Sequence, residues 1–206
     1  MANCRCRRVG TRKLDPIVTF VSLQGIDSPS VFDVDYQQVK LRKSAFVDKR
    51  LPAGYAPFGI ANINNLLYVS YALQNDLKHD DVKGPGHGFV DEYMPNGKLM
   101  RRFASRGTLD SPWGMVMAPN VGFGSASAHI LIGNFGDGGI NIFDPATGEW
   151  EGFLTDANGG FIALDGLWSL AFGNGSAAGA TTTLFLTAGP NAESDGLFGK
   201  IEVATN

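Results

Sequence analysis

The sequence predicts an all-β chain built from repeats of short strands, and three observations support this. The 206 residues include 27 glycines and 10 prolines, more than a helical protein tolerates and typical of short strands joined by tight turns. Three segments of the chain share the same local order of residues. An aromatic residue recurs in that order at Phe58, Trp113 and Trp168, 55 residues apart both times, and such fixed spacing indicates a structural repeat.

Each repeat begins two residues before its aromatic residue and continues through runs rich in Ile, Leu, Val, Phe and Tyr, which favour strands. These runs predict three strands per repeat, at 56–60, 66–71 and 88–93, then 111–115, 130–135 and 139–144, and finally 166–171, 184–187 and 197–203. Turns of the Asn-Gly or Thr-Gly type follow the third strand of the first two repeats, at 95–97 and 145–148.

A further run follows each of these turns, at 98–103 and 149–154, and supplies a fourth strand. Four strands in a unit of roughly 50 residues are typical of the blades of a β-propeller. We therefore predict a partial β-propeller over 31–206, with three blades and, at 31–41, the outer edge of a fourth. Residues 1–30 are predicted to be a basic, poorly ordered N-terminal extension.

Several stretches resemble the NHL-like six-bladed β-propellers of uncharacterised function, some of which carry a signal peptide and a PEP-CTERM-type sorting tail. The resemblance covers 31–203 and lies in 51–58, 80–91, 133–138, 165–168 and 188–191. It implies half of a six-bladed ring and an exported protein, extracellular or periplasmic. It implies no activity.

Charge and cysteine content narrow the range of partners and sites that the sequence allows. Residues 1–50 carry ten Lys/Arg and five Asp/Glu, whereas 51–206 carry seven and fifteen, and this acidic body argues against nucleic acid as the partner. Cys4 and Cys6 are the only cysteines and cannot complete a zinc site. No apolar run reaches the roughly 18 residues of a membrane span. No signal peptide is visible, so a cytoplasmic location is the alternative to export.

Loops alternate between the two faces of an up-and-down blade. The loops that join the second and third strands therefore share a face with the inter-blade loops, and here they are 72–87, 136–139 and 188–196. We predict that this acidic face binds the ligand through Asp80, Asp81, His87, Asn134, Asp137, Asp165, Asn191 and Asp195. Four of these carry the oxygen ligands that calcium prefers, namely Asp81, Asn134, Asp137 and Asp165. The other interpretation is that these residues only form turns, where Asp and Asn are common. No other cofactor is predicted.

The function predicted is a noncatalytic module that binds a small ligand, a glycan or a protein. One alternative is a metal-dependent propeller enzyme, such as a lactonase-like hydrolase or a lyase, and another is a truncated remnant without activity of its own. The repeated aromatic positions favour packing between blades over ligand stacking. Because three blades leave two blade faces uncovered, a homodimer that completes a six-bladed ring is the predicted assembly.

Overall fold

The structure, a computed structural model, describes residue 35 and residues 37–204. The predicted extension at 1–30 lies outside the described residues. Within them the chain is all-β, and its one helical element is a 3-10 turn, Gly124–Ala126. Eleven strands are described: β1 Tyr55–Ile63, β2 Leu66–Leu73, β3 Gly88–Tyr93, β4 Leu99–Ser105, β5 Pro112–Met117, β6 Ile130–Asn134, β7 Ile140–Phe143, β8 Trp150–Phe153, β9 Leu167–Phe172, β10 Leu184–Ala188 and β11 Leu197–Ile201.

The strands form three antiparallel sheets, in each of which neighbours in sequence are neighbours in space. The first sheet is β1–β2–β3–β4, the middle sheet is β5–β6–β7–β8, and the third is β9–β10–β11. The first two have the four strands that the sequence predicts. The described part of the third has three.

The repeated aromatic residues occupy equivalent places, as predicted. Phe58, Trp113 and Trp168 all lie near the start of the first strand of their sheet. At each of them the pairing with the second strand is interrupted by a bulge or irregularity. Bulges re-aim side chains. The 55-residue spacing therefore marks a repeated backbone irregularity as well as a repeated residue.

The first strands of successive sheets lie side by side, β1 against β5 and β5 against β9. Glycine follows the aromatic residue in the first two repeats. A Cβ at Gly59 would collide with the carbonyl oxygen of Trp113, and one at Gly114 would come within 3.0 Å of the backbone of 168–170. These two glycines permit the close approach of the strands, which positions the aromatic side chains against each other.

The core follows the two-residue period of the strands. Tyr68 and Val90 point toward the middle sheet, where they join a cluster with Ile130 and Ile132. Leu131 points the other way, into a second cluster formed with the third sheet. The middle sheet is therefore apolar on both faces and covered on both.

The outer face of the first sheet is covered by the chain segment 37–51. Ala45 and Phe46 are buried there against Val69, Tyr71 and other residues of that face. A buried polar network fixes the segment: the Arg102 guanidinium contacts Asp91 and lies 2.5 Å from Asp48, while the Tyr93 hydroxyl donates to Asp91 at 3.1 Å. Burial raises the pKa of the Asp91 carboxyl despite Arg102.

Residues 31–41 are the segment predicted to form the outer edge of a fourth blade. Of these, the structure describes residue 35 and residues 37–41. The stretch 37–41 forms no extended strand, and instead Val39 and Leu41 pack against the cluster on the first sheet. The similarity of this segment to 142–144 indicated the outer edge of a blade. Residue 38 forms a β-bridge, and 31–34 and 36 lie outside the described residues, so the outer edge at 31–41 stays a prediction.

The outer face of the third sheet carries apolar side chains that no described residue covers. Phe198 is 74% exposed and its ring stacks on that of Phe185, with centroids 5.7 Å apart. Among the described residues no helix has the length and apolar character required to cross a bilayer.

Candidate functional site

A cleft of about 310 Å³ opens where β1 and β5 lie side by side. Its position agrees with the predicted face, because the 72–87 loop and the 188–196 loop both contribute to it. The lining combines apolar residues of the first sheet, three aromatic rings and four ionisable side chains: Ala56, Pro57, Phe58, Ala72, Leu73, Gln74, His79, Asp80, Asp81, Trp113, Phe135 and Glu193.

Three aromatic rings form one wall of the cleft. The centroid of Phe58 is 4.8 Å from that of Trp113 and 6.0 Å from that of Phe135, and the last two rings are 5.7 Å apart. Their planes are inclined by 50–68°, the tilted and edge-on arrangements that aromatic pairs prefer. The sequence predicted packing for Trp113. The structure shows this packing and also leaves Phe58 and Trp113 partly exposed to the cleft.

Acidic side chains lie on the other walls and at the rim. Asp80 lies 3.1 Å from the Nδ1 atom of His79, and both are exposed. Asp81 is held by an isolated bridge to Gln74, and its Oδ2 atom is buried without a hydrogen-bond partner. Glu193 enters from the last loop and accepts a hydrogen bond from Trp168 Nε1 at 2.8 Å. Of the predicted ligand-binding residues, Asp80 and Asp81 reach the cleft.

A second group of polar residues lies beside the cleft, around Asp110. Burial raises the pKa of the Asp110 carboxyl, against a hydrogen bond from the Gly84 N–H at 2.7 Å, and the charges of Asp137 and Asp81 raise it further. Asn134 is fully buried and donates to Asp137 Oδ1 at 3.0 Å and to the Thr108 carbonyl at 2.8 Å. Asn134 and Asp137 thus lie together.

The remaining predicted residues stabilise loops. Asp165 accepts a hydrogen bond from the Asn191 N–H at 2.9 Å, and the Asn191 amide donates to Asp195 at 2.6 Å. The ring Nδ1 of His87 lies 2.7 Å from the Val82 carbonyl oxygen, which pins the 72–87 loop. These contacts hold Asp165, Asn191, Asp195 and His87 within the loops next to the cleft.

The four residues predicted to bind calcium differ in whether their oxygen atoms already have hydrogen-bond partners. Asn134 Oδ1 and Asp81 Oδ2 are buried oxygen atoms without hydrogen-bond partners, which suits ligation of a cation. The Asp165 carboxylate is already bonded to Asn191. Within the described ranges, no group of three His, Cys, Asp or Glu side chains has the arrangement of a metal site.

Two features of the site were missed by the sequence reasoning. Asp110 was not selected, although it stands 55 residues before Asp165 and the repeat spacing would have found it. Phe135 was read as part of a strand, whereas it follows β6 and faces the cleft. Phe135 is only 7% exposed, and the local sequence does not show that it borders a cleft, because that depends on where the neighbouring sheet ends.

No family model matches the chain. Three uncharacterized proteins of Acanthamoeba polyphaga mimivirus are similar to it. Protein L690 is 37% identical over 147 residues, which are 68% of this chain and 38% of that protein. Protein R648 is 35% identical over 176 residues, 83% of this chain and 42% of that protein. Protein R640 is 36% identical over 118 residues, 57% of this chain and 22% of that protein.

The chain therefore spans less than half the length of these relatives. Among solved structures, a protein of unknown function from Bacteroides caccae is similar with a TM-score of 0.35 and 11% sequence identity. That alignment covers 82% of this chain and 66% of the other.

Proposed function

We propose that the chain is a noncatalytic binding module, a partial β-propeller that holds its ligand in the cleft between the first and middle sheets. The observation that carries the proposal is the cleft itself, with three partly convergent aromatic rings and acidic side chains around one concave volume. Concave sites that combine apolar walls with a few polar groups are the usual form of small-molecule sites.

The propeller architecture is supported by the order of the strands and by the equivalence of the sheets. Each sheet runs in sequence order from its first strand outward, and the first strands adjoin one another. In a propeller these are the innermost strands, which surround a central channel. The cleft would then open at the mouth of that channel. Export, implied by the resemblance to NHL-like propellers, belongs to the same proposal.

The binding function is tested by NMR on the full chain labelled with ¹⁵N. Three probes of different chemistry are titrated: N-acetylglucosamine, benzoate and choline. At least one should shift the amide signals of residues 56, 58, 113 and 135 while leaving those of β11 in place, and Phe58→Ala should reduce these shifts. Absence of shifts at the cleft with all three probes would contradict the proposal.

A second candidate, a metal-dependent propeller enzyme, is favoured by the two unpartnered buried oxygens, Asp81 Oδ2 and Asn134 Oδ1. Calcium is the ion that suits them, with Asp137 as the third ligand and backbone carbonyls completing the shell. Titration to millimolar calcium during thermal melting should then raise Tm. An unchanged Tm, together with metal-free elemental analysis of the purified protein, would reject this candidate.

Ring completion by a second copy is the assembly we propose. The exposed Phe185–Phe198 face of the third sheet would meet the first-sheet side of the partner, since apolar faces of this kind are usually covered. Light scattering should give the mass of a dimer, and Phe198→Lys should give a monomer. A cooperatively folded wild-type monomer would contradict closure by a second copy. An aggregate would support the remnant interpretation.

A further inference from the structure

The ligand class can be inferred from the charge and the aromatic surface of the cleft. We propose that the cleft recognises an ammonium group, so that the ligand is an organic cation. This inference rests on the proposed binding function and deepens it. It is carried by the convergence of three aromatic rings with three carboxylates around one volume.

The rings satisfy the distance requirement of a cation–π site. A cation is attracted to the face of an aromatic ring when it lies within about 6 Å of the centroid, and Trp is the strongest partner. The centroids of Phe58, Trp113 and Phe135 are separated by 4.8–6.0 Å. Rings this close together can lie within that range of one ammonium group at the surface of the cleft, where Phe58 and Trp113 are partly exposed and Phe135 is largely buried.

The fold holds these rings in place before any ligand arrives. Gly59 lets β1 approach β5, and this sets the Phe58–Trp113 distance. The Phe135 N–H donates to the Ser111 carbonyl at 2.9 Å, which ties the third ring to the start of β5. Such preorganisation reduces the ordering cost of binding.

The charge of the lining selects for a cation. Asp80, Asp81 and Glu193 contribute carboxylates, and the lining contains neither Lys nor Arg. Asp81 lines the cleft, and its carboxylate adds a counter-charge for an ammonium group, while its Oδ2 atom is itself buried. A neutral sugar would use the same rings but would gain nothing from three negative charges.

The protein itself already places an ammonium group on this aromatic surface. Lys83 is exposed, and its Nζ atom lies 4.2 Å from the centroid of the Phe135 ring. This resident cation sits at the edge of the cleft and competes with a ligand for the same ring. Its removal should therefore strengthen binding of a cationic ligand, an effect that loss of a merely structural residue would not produce.

The test compares choline with 3,3-dimethylbutan-1-ol, in which carbon replaces the charged nitrogen, by calorimetry on the full chain. Choline should bind at least about tenfold more tightly, the ratio expected of a cation held by several rings. Equal affinity at the cleft would overturn the cation inference and leave the binding function standing. Absence of choline binding up to about 20 mM, well into the weak-binding range, would also overturn the inference. The binding function would then depend on the other two probes.

Variants separate the contributions. Phe58→Leu keeps an apolar side chain and removes the ring, while Glu193→Gln keeps the acceptor for Trp168 and removes the charge. Each should weaken choline binding several-fold and leave the neutral analogue unchanged, whereas Lys83→Gln should strengthen choline binding. Phe198→Leu, which removes a ring outside the cleft, is the matched control. Binding of a peptide that carries trimethyllysine shows whether the ammonium group is borne by a protein or by a free small molecule. Unchanged choline affinity in all three cleft variants would refute the inference.

Discussion

The first and third sheets stand at the two ends of the row of sheets, yet their outer faces differ. On the first sheet the segment 37–51 buries the outer face, with Phe46 only 4% exposed. On the third sheet Phe198 is 74% exposed on the corresponding side. Their ion pairs differ in the same way, since Arg102 and its acidic partners are almost fully buried, whereas Lys200 and Glu202 are both about half exposed.

The difference teaches that the end of a stack of sheets needs a cover, and that the cover need not be another sheet. A strand face buries its apolar side chains against whatever apolar surface the chain supplies. At the first sheet, an irregular segment with a buried ion network does this. At the third sheet the described chain supplies nothing, which is why that face is where we place the second copy.

The largest expected effect comes from Arg102→Ala. It leaves Asp91 buried without its cation and Asp48 with Arg50 alone, and breaking a buried pair in this way costs about 3–5 kcal/mol of unfolding free energy. The matched change at the third sheet, Lys200→Ala, breaks an exposed pair and should cost less than about 0.5 kcal/mol. Urea denaturation measures both. Similar costs would show that the two ends are equally exposed in solution.

Removal of an aromatic ring from each outer face should give the next largest difference. Phe46→Ala removes a buried ring that packs 5.3 Å from Tyr93, at a cost of about 3–4 kcal/mol. Phe198→Ala should change the stability of the isolated chain by about 0.5 kcal/mol or less. If Phe198→Ala is the more destabilising of the two in urea melts of the dissociated monomer, then the third face is covered within the chain itself and the comparison has to be reversed.

Gly97 allows the covering segment to approach the β3–β4 turn. Its φ is +79°, and a Cβ there would lie 2.7 Å from Ala45 Cβ and 2.9 Å from the Phe46 ring. Gly97→Ala should therefore cost about 1–3 kcal/mol through strain and crowding. Gly196→Ala, in the third sheet's open loop where no atom lies within 4 Å, is the control and should be nearly neutral. Differential scanning calorimetry of the two variants sharpens the contrast.

The smallest effect expected is a pH-dependent one at Asp48. Burial opposes its ionisation, but hydrogen bonds from Arg50 and the charge of Arg102 together hold the pKa of Asp48 below its ordinary 3.8. A lowered pKa contributes stability above pH 3.8 that is lost as the pH falls through the folded value. Asp48→Asn should lower Tm by about 2–4 °C at pH 7, and by less on acidification below 3.8. A deficit that grows on acidification would contradict this.

Much of the fold could be predicted because its signals are local. Alternating apolar runs and Asn-Gly or Thr-Gly turns give strands and hairpins from nearest neighbours, and the 55-residue period gives their equivalence. The packing of 37–41 could not be predicted, because Val39 and Leu41 carry a β pattern, whereas the described segment covers the first sheet as largely irregular chain with one bridge residue, 38. The exposure of the outer face of the third sheet could not be predicted either, because it depends on which chain segments contact that face and not on which residues form it.

The candidate site likewise has residues that the sequence identified and residues that only the fold brings together. The sequence placed Asp80 and Asp81 on the loop that lines the cleft, and it grouped Asn134 and Asp137, which bond to each other, among the predicted ligand-binding residues. The joining of Phe58, Trp113 and Phe135 with Glu193, a residue 135 positions after Phe58, required the three-dimensional fold. Charged loop residues identify a face, but a cleft is formed by distant segments.

The sequence by itself determined the strand content, the repeat and the acidic character of the loops, because each follows from residue type and short-range spacing. Only the tertiary structure decided which aromatic rings face solvent, which carboxylates are buried, and which end of the stack is covered. Those properties depend on how closely β1 and β5 approach at Gly59, and on where one sheet stops and leaves its neighbour exposed. Burial is a property of surfaces brought together, and a linear order of residues does not contain it.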